Sequence, residues 1–287
     1  MSRITKTSSI KVIALAVLSI AVLIVSQTIA ILIGELLVSL KVPIYIANIV
    51  ICPCYIALSY ILLKIIVRKL IKLPLSDFGM PKFNLKISYI ALALLLPISV
   101  IVFYLFAFKG SFITGDNSTA NILNTLSAGI AFIGIAAGFV EEMVFRGMIL
   151  NLLKKRWNTP IAVILPSVIF GLLHLPGEGY GIISSLLVIF AGTIVGIMFS
   201  LIAIESGSVW NSGIVHALWN ILISGGGLTI GCEANEYSIL SFVLDNKSFA
   251  FTGGEFGIDA SIISVIAYLL VILITLYFMS VKRKRSS

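Results

Sequence analysis

The sequence predicts an all-α, polytopic transmembrane bundle of about eight helices with both termini in the cytoplasm. Three observations carry that expectation. Apolar residues make up 59% of the chain and charged residues 11%, giving a mean hydropathy of +1.14. The apolar residues come in unbroken runs long enough to span hydrocarbon, and lysine and arginine gather in alternate gaps between the runs. A soluble domain is charged at about one residue in four. Here there is too little polar surface to coat a globule in water, so lipid must be the main solvent.

The first run, 12–34, follows Arg3, Lys6 and Lys11. Its 23 residues exceed the apolar core of a signal peptide, and no clear cleavage site follows, so it reads as a retained first span. Further spans are expected at 43–63, 87–108, 125–153, 159–175, 180–204, 208–227 and 260–281. The fourth carries three charges and the fifth is short. Runs of Ile, Leu and Val without alternation argue for helices and against a transmembrane barrel. The chain divides into residues 1–123 (three spans and a basic loop, 64–86), a core at 124–224, and 225–287 (an outer loop and the last span).

A cytoplasmic N-terminus puts sixteen basic residues inside, in the groups Arg3 to Lys11, Lys64 to Lys86, Lys154 to Arg156 and Lys282 to Arg285. Only Lys41, Lys109 and Lys247 fall outside. That asymmetry fixes sidedness and accounts for the formal charge of +8 without a nucleic-acid partner. Loop 64–86, with Pro74, Gly79 and Pro81, is expected to lie along the anionic leaflet. Residues 224–259, rich in glycine and acids, are expected to form a flexible outer cap. Three cysteines make no disulfide framework. Cys52 and Cys54 flank Pro53 within a span and read as packing residues, while Cys232 has no assigned role. The sequon at Asn117 reads as incidental.

Ionisable groups inside a bilayer cost roughly 2.5–3.5 kcal/mol each on insertion scales. The fourth span holds Glu141, Glu142 and Arg146. Glu142 and Arg146 are four residues apart and meet on one helix face, so they neutralise each other. Glu141 points about 100° away from Glu142 and is left without such a partner. The chain's two histidines, His174 and His216, both fall in apolar runs, and Asn220 follows His216 by one turn. At 1.5 Å per residue from the cytoplasmic end, Glu141, His174, His216 and Asn220 lie roughly 20, 21, 12 and 18 Å deep. Three helices thus bring four polar groups into one slab of membrane.

Such a set suits peptide hydrolysis. A carboxylate in a low-dielectric cavity acts as general base towards water, and a histidine beside it orients or deprotonates that water. A second histidine and a neutral amide stabilise the oxyanion. Glu141, His174 and His216 are equally the residue types of a zinc site with an open position. The residues alone leave both mechanisms open.

These residues resemble the CAAX-protease and bacteriocin-processing family (CPBP, or Abi), which includes the type II CAAX prenyl endopeptidases. Its motifs EExxxR, FxxxH and HxxxN read here as Glu141-Glu142-Met143-Val144-Phe145-Arg146, Phe170-Gly171-Leu172-Leu173-His174 and His216-Ala217-Leu218-Trp219-Asn220. The resemblance covers about 124–224 and implies an eight-helix intramembrane endopeptidase. It implies that Glu141 activates water with His174 as partner, that His216 and Asn220 form the oxyanion site, and that Glu142, Arg146 and Phe170 shape it. The family has been described both as metalloproteases and as metal-free glutamate proteases. Its members range from prenyl-protein processing to peptide maturation and bacteriocin self-immunity. The Ile- and Lys-rich composition looks bacterial, so the expected partner is a small peptide or membrane-protein substrate at a bacterial cytoplasmic membrane.

Other chemistries fit less well. There is no His-Glu-x-x-His, Ser208 has no rhomboid-like setting, and Asp116 and Asp259 lie at span rims, a poor aspartyl dyad. A proton-coupled transporter would use Glu141 with the histidines as relays, but no internal repeat accompanies it. A bis-histidine haem protein leaves Glu141, Glu142 and Arg146 unexplained. A non-catalytic immunity or scaffold protein remains the third alternative.

Overall fold

The computed structural model describes residues 8–175 and 179–286. Of the basic residues used for sidedness, Arg3, Lys6 and the side chain of Arg285 lie outside that description. The chain is a bundle of eight principal helices: α1 (Ser9–Ser39), α2 (Ile44–Ile71), α3 (Ile87–Ala107), α4 (Thr119–Arg156), α5 (Thr159–Leu172), α6 (Ile182–Ser206), α7 (209–224) and α8 (Ile262–Ser286). Six of these are long and apolar enough to cross a membrane. The other two are short: α5 has 14 residues, and α7 joins 11 residues of α-helix to a wide-turned segment of 5. At 1.5 Å per residue they reach about 21 and 24 Å, short of the ~30 Å hydrocarbon thickness. The molecule is an integral membrane protein of the all-α polytopic kind.

Helix positions follow from hydropathy; helix contacts follow from small residues. Gly129, Gly134 and Gly138 form a stripe on α4 facing α7. A Cβ at Gly138 would stand 2.8 Å from the backbone of Ala217, one at Gly134 2.2 Å from Ile221, and one at Gly129 2.0 Å from the carbonyl of Gly225. The intervals of five and four arise because 128–137 is wound with the wider π turn, which returns to α at Gly138. A second seam joins α5 to α6. There a Cβ at Gly192 would meet Gly171 at 2.7 Å, and one at Gly196 would meet Ser167 at 2.8 Å. Backbones approach this closely only when small residues recur every four positions on both helices.

Two apolar clusters result. One gathers α1, α2, α4 and the start of α7; the other gathers α3, α6, α8 and the rest of α7. α7 therefore runs along the seam between them, with Val209 and Trp210 in the first and Val215 and Trp219 in the second.

Two connections differ from expectation. Loop 64–86 does not lie free along the leaflet. α2 extends to Ile71, and Leu75, Phe78 and Met80 tuck under the bundle with Phe78 fully buried. Three bonds pin the segment: Val209 N–H to the Gly79 carbonyl at 2.8 Å, Trp210 Nε1–H to the Pro81 carbonyl at 2.9 Å, and Lys155 to Asp77 at 3.8 Å. Residues 224–259 are not a flexible cap either. They carry β2 (Leu228–Gly231) and β3 (Leu240–Leu244), which build a three-stranded sheet with β1 (Gly110–Thr114) in the order β1-β3-β2. β3 is antiparallel to β1 and parallel to β2. Paired strands satisfy the backbone groups that a loose loop would leave to water.

The glycine stripe makes a direct prediction. Gly138→Leu forces a side chain into the Ala217 backbone and is expected to cost about 1–3 kcal/mol or more. Gly227→Ala, which would meet nothing within 4 Å, is expected to stay within about 0.5 kcal/mol. Thermal unfolding of the two variants in detergent compares them.

Candidate active site

The rotation of α4 sorts its two adjacent carboxylates. Glu142 is turned into the protein and fully buried, and its Oε1 accepts from Arg146 Nη1 at 2.7 Å. The four-residue spacing thus forms the pair it was expected to form. Arg146, 1% exposed, reaches across to α6, where Nη2 donates to the Gly196 carbonyl at 3.0 Å. Its guanidinium also lies 4.6 Å from the centre of the Phe170 ring and 5.4 Å from that of Phe199. A weakly hydrated, planar cation favours such aromatic faces.

Glu142 does more than balance Arg146. The same Oε1 is 3.3 Å from His216 Nδ1. A carboxylate only accepts, so this contact assigns the proton to Nδ1 and turns Nε2 the other way. There Nε2 lies 3.8 Å from Glu141 Oε2. Glu141, left without a partner by helix spacing, therefore finds one on α7. Its side chain is 23% exposed while that of Glu142 is at 0%, and Glu141, not Glu142, lines a cavity of about 450 Å³. His216 is clamped between Phe199, stacked at 4.5 Å, and Phe170, edge-on at 5.9 Å.

His174 lies in the turn just past α5, not inside the fifth span as expected, because the helix ends at Leu172. Its Nδ1 is 2.7 Å from the Phe170 carbonyl. That acceptor requires Nδ1–H and leaves Nε2 as the free nitrogen. The ring thereby satisfies one of the carbonyls that a helix end leaves open. Asn220 starts the wide-turned segment of α7, and its Nδ2 donates to the Ile133 carbonyl of α4 at 3.0 Å. Glu141, His174, His216, Asn220 and Phe170 all line the one cavity, with Glu142 and Arg146 behind its wall.

Among the described residues, no three His, Cys, Asp or Glu side chains come together in a way that would hold a metal ion. Glu141, His174 and His216 share a cavity without forming a three-ligand zinc set.

Residues 123–222 match the family model of the type II CAAX prenyl endopeptidase Rce1-like proteins. Over this segment the chain is similar to the CAAX-protease family. The match spans all three motif pairs and the four helices α4 to α7 that surround the cavity. No curated protein and no solved structure matches the chain significantly.

Sequence reasoning missed two residues of this cavity. Phe199, which sandwiches His216 and the guanidinium, sits in a wholly apolar helix and gave no signal. Asp259 was set aside as a rim residue, yet a short turn, Ile258–Ala260, carries it into the cavity wall. Asp116, by contrast, stays on the surface as a local cap for Ser118.

The buried cluster predicts a non-additive mutant cycle. Arg146→Met strands Glu142 without its cation and is expected to cost about 3–5 kcal/mol. Adding Glu142→Gln is expected to restore part of that loss, because the orphaned charge disappears with it. Unfolding free energies of both single variants and the double variant, measured in detergent, give the coupling.

Proposed function

We propose that this protein is an intramembrane endopeptidase that cleaves a small peptide or membrane-associated protein with water activated by Glu141. One observation carries the reading: of two adjacent glutamates, only Glu141 opens onto the cavity, where its Oε2 lies 3.8 Å from His216 Nε2 and where His174 and Asn220 also line the wall. The cavity falls within the roughly 300–1,000 Å³ of ligand pockets.

Water between Glu141 and His174 Nε2 gives its proton to the carboxylate as its oxygen attacks the scissile carbonyl. The developing oxyanion lies against His216 and takes a hydrogen bond from the second amide hydrogen of Asn220, whose first is fixed on Ile133. Glu141 then passes its proton to the leaving amine. Glu142 keeps the His216 ring in register throughout. The step as written uses no metal. The reading puts the chain in a bacterial cytoplasmic membrane with the β-sheet end outside, where peptide maturation or bacteriocin self-immunity would use it. A non-catalytic immunity or scaffold role leaves the sorting of the two glutamates without a purpose, and a transporter leaves Asn220 without one.

Purified protein in detergent is expected to cleave membrane-associated peptides, and Glu141→Gln to lose about 10²–10⁴ of the rate with unfolding unchanged. Asn220→Ala should lower kcat by about 10²–10³ with little change in KM. Full activity of Glu141→Gln would sink the assignment, and activity abolished by a chelator and restored by Zn²⁺ would replace the metal-free step. For sidedness, Cys232 is the one cysteine outside the helices and is partly exposed. A membrane-impermeant maleimide added to intact cells is expected to label it; labelling only after lysis would invert the topology.

A further inference from the structure

We propose that Asp259 is a specificity carboxylate that selects substrates carrying a cationic group, a lysine or arginine side chain or an N-terminal ammonium, beside the scissile bond. The inference rests on the peptidase reading and names its substrate class.

Asp259 is built into the cavity, not merely near it. Trp219 Nε1–H donates to its Oδ1 at 2.7 Å, from the residue next to Asn220 on α7. The Ser224 hydroxyl reaches Oδ1 at 3.3 Å and Oδ2 at 3.4 Å. Its own carbonyl accepts from Tyr268 of α8 at 3.2 Å. The carboxylate is thus held by the same helix that positions His216 and Asn220, and it lines the same cavity as Glu141. These bonds come from neutral donors, so they orient the group without neutralising it.

Among the described residues no lysine or arginine lines this cavity, and none forms an ion pair with Asp259. Arg146, the buried cation closest in role, is committed to Glu142 behind the wall. A half-buried carboxylate without a counter-ion is costly, and burial pushes the Asp259 carboxyl above the usual carboxylate range. A substrate cation would remove that cost on binding and be recognised by doing so. A free C-terminal carboxylate would instead meet Glu141 and Asp259 together. Cavity charge therefore favours an internal or N-terminal cationic segment over a short anionic C-terminal tail.

The test uses Glu141→Gln protein in detergent, which removes the other cavity carboxylate. Its ligands are three fluorescent peptides of one apolar sequence: N-acetylated with lysine, N-acetylated with acetyl-lysine, and acetyl-lysine with a free N-terminus. At least one cationic peptide is expected to bind 10-fold or more tightly than the neutral one, and which one does tells side chain from N-terminus. In Glu141→Gln/Asp259→Asn, where the amide oxygen still accepts from Trp219, the ratio should fall within twofold while neutral-peptide affinity holds. Asp259→Ser replaces Asn if that variant fails to fold. A ratio near one with Asp259 present, or a ratio that survives its neutralisation, overturns the proposal. Cleavage by unmutated protein is scored separately. Cationic preference without any cleavage would retire the peptidase reading and leave the Asp259 site standing; cleavage without preference does the reverse.

Discussion

One carboxylate oxygen, Glu142 Oε1, ties this molecule together. It accepts from Arg146 on its own helix and from His216 on α7, while Arg146 extends the tie to the Gly196 carbonyl on α6. A buried pair of this kind adds little net stability over apolar packing, but losing either partner is expensive. What the tie sets is rotation. With Glu142 held against α6 and α7, the next residue along α4 is turned by about 100°, and Glu141 has nowhere to go but the cavity. The tie itself needs the helices in close contact. α4 touches α7 because Gly134 and Gly138 have no side chains, and α6 offers its backbone because Gly196 has none. Small residues, one ion pair and one histidine contact together place a carboxylate beside His216, in the cavity that His174 also lines.

Much of this was legible in the sequence because lipid is an unforgiving solvent. Hydropathy placed an apolar run on each of the eight helices, though α2 runs on to Ile71 and α4 begins at Thr119, and the shortage of polar groups in the runs singled out Glu141, Glu142, Arg146, His174, His216 and Asn220. The Glu142 and Arg146 pairing followed from spacing alone. What escaped depended on chain segments returning from a distance. The tether of His216 to Glu142 joins residues 74 positions apart, and no local pattern encodes it. Asp259 looked like a surface acid because it precedes α8, whereas its turn folds back over the cavity. The α4 stripe is hidden by its own winding: intervals of five and four do not fit one helical period. The α5 and α6 seam, with small residues four apart at Ser167 and Gly171 and at Gly192 and Gly196, was readable by the rule for close-packed membrane helices.

Two of the polar groups sit where they do because α5 stops early and α4 is wound wide. Backbone carbonyls and amides at a helix end need partners, and hydrocarbon provides none. α5 ends short of a full crossing, so its end must be closed by a side chain, and a carbonyl in the wide-turned part of α4 is met by a side chain from α7. His174 closes α5 through the Phe170 carbonyl; Asn220, at the start of the wide-turned end of α7, bonds back to α4 at Ile133. The turns at Gly254–Phe256 and Ile258–Ala260 fill the remaining depth. They bring Phe256 against His174, with ring centres 6.2 Å apart, and Asp259 against Trp219. Polar side chains that meet such carbonyls spend one hydrogen-bonding atom on structure and keep another for the cavity. That division is visible in both nitrogens of His174 and both amide hydrogens of Asn220. Full-length helices of regular winding would need neither residue. Early termination of α5 therefore accounts for His174, and the wide turn of α4 for Asn220, while the Glu142 tie accounts for Glu141 and His216.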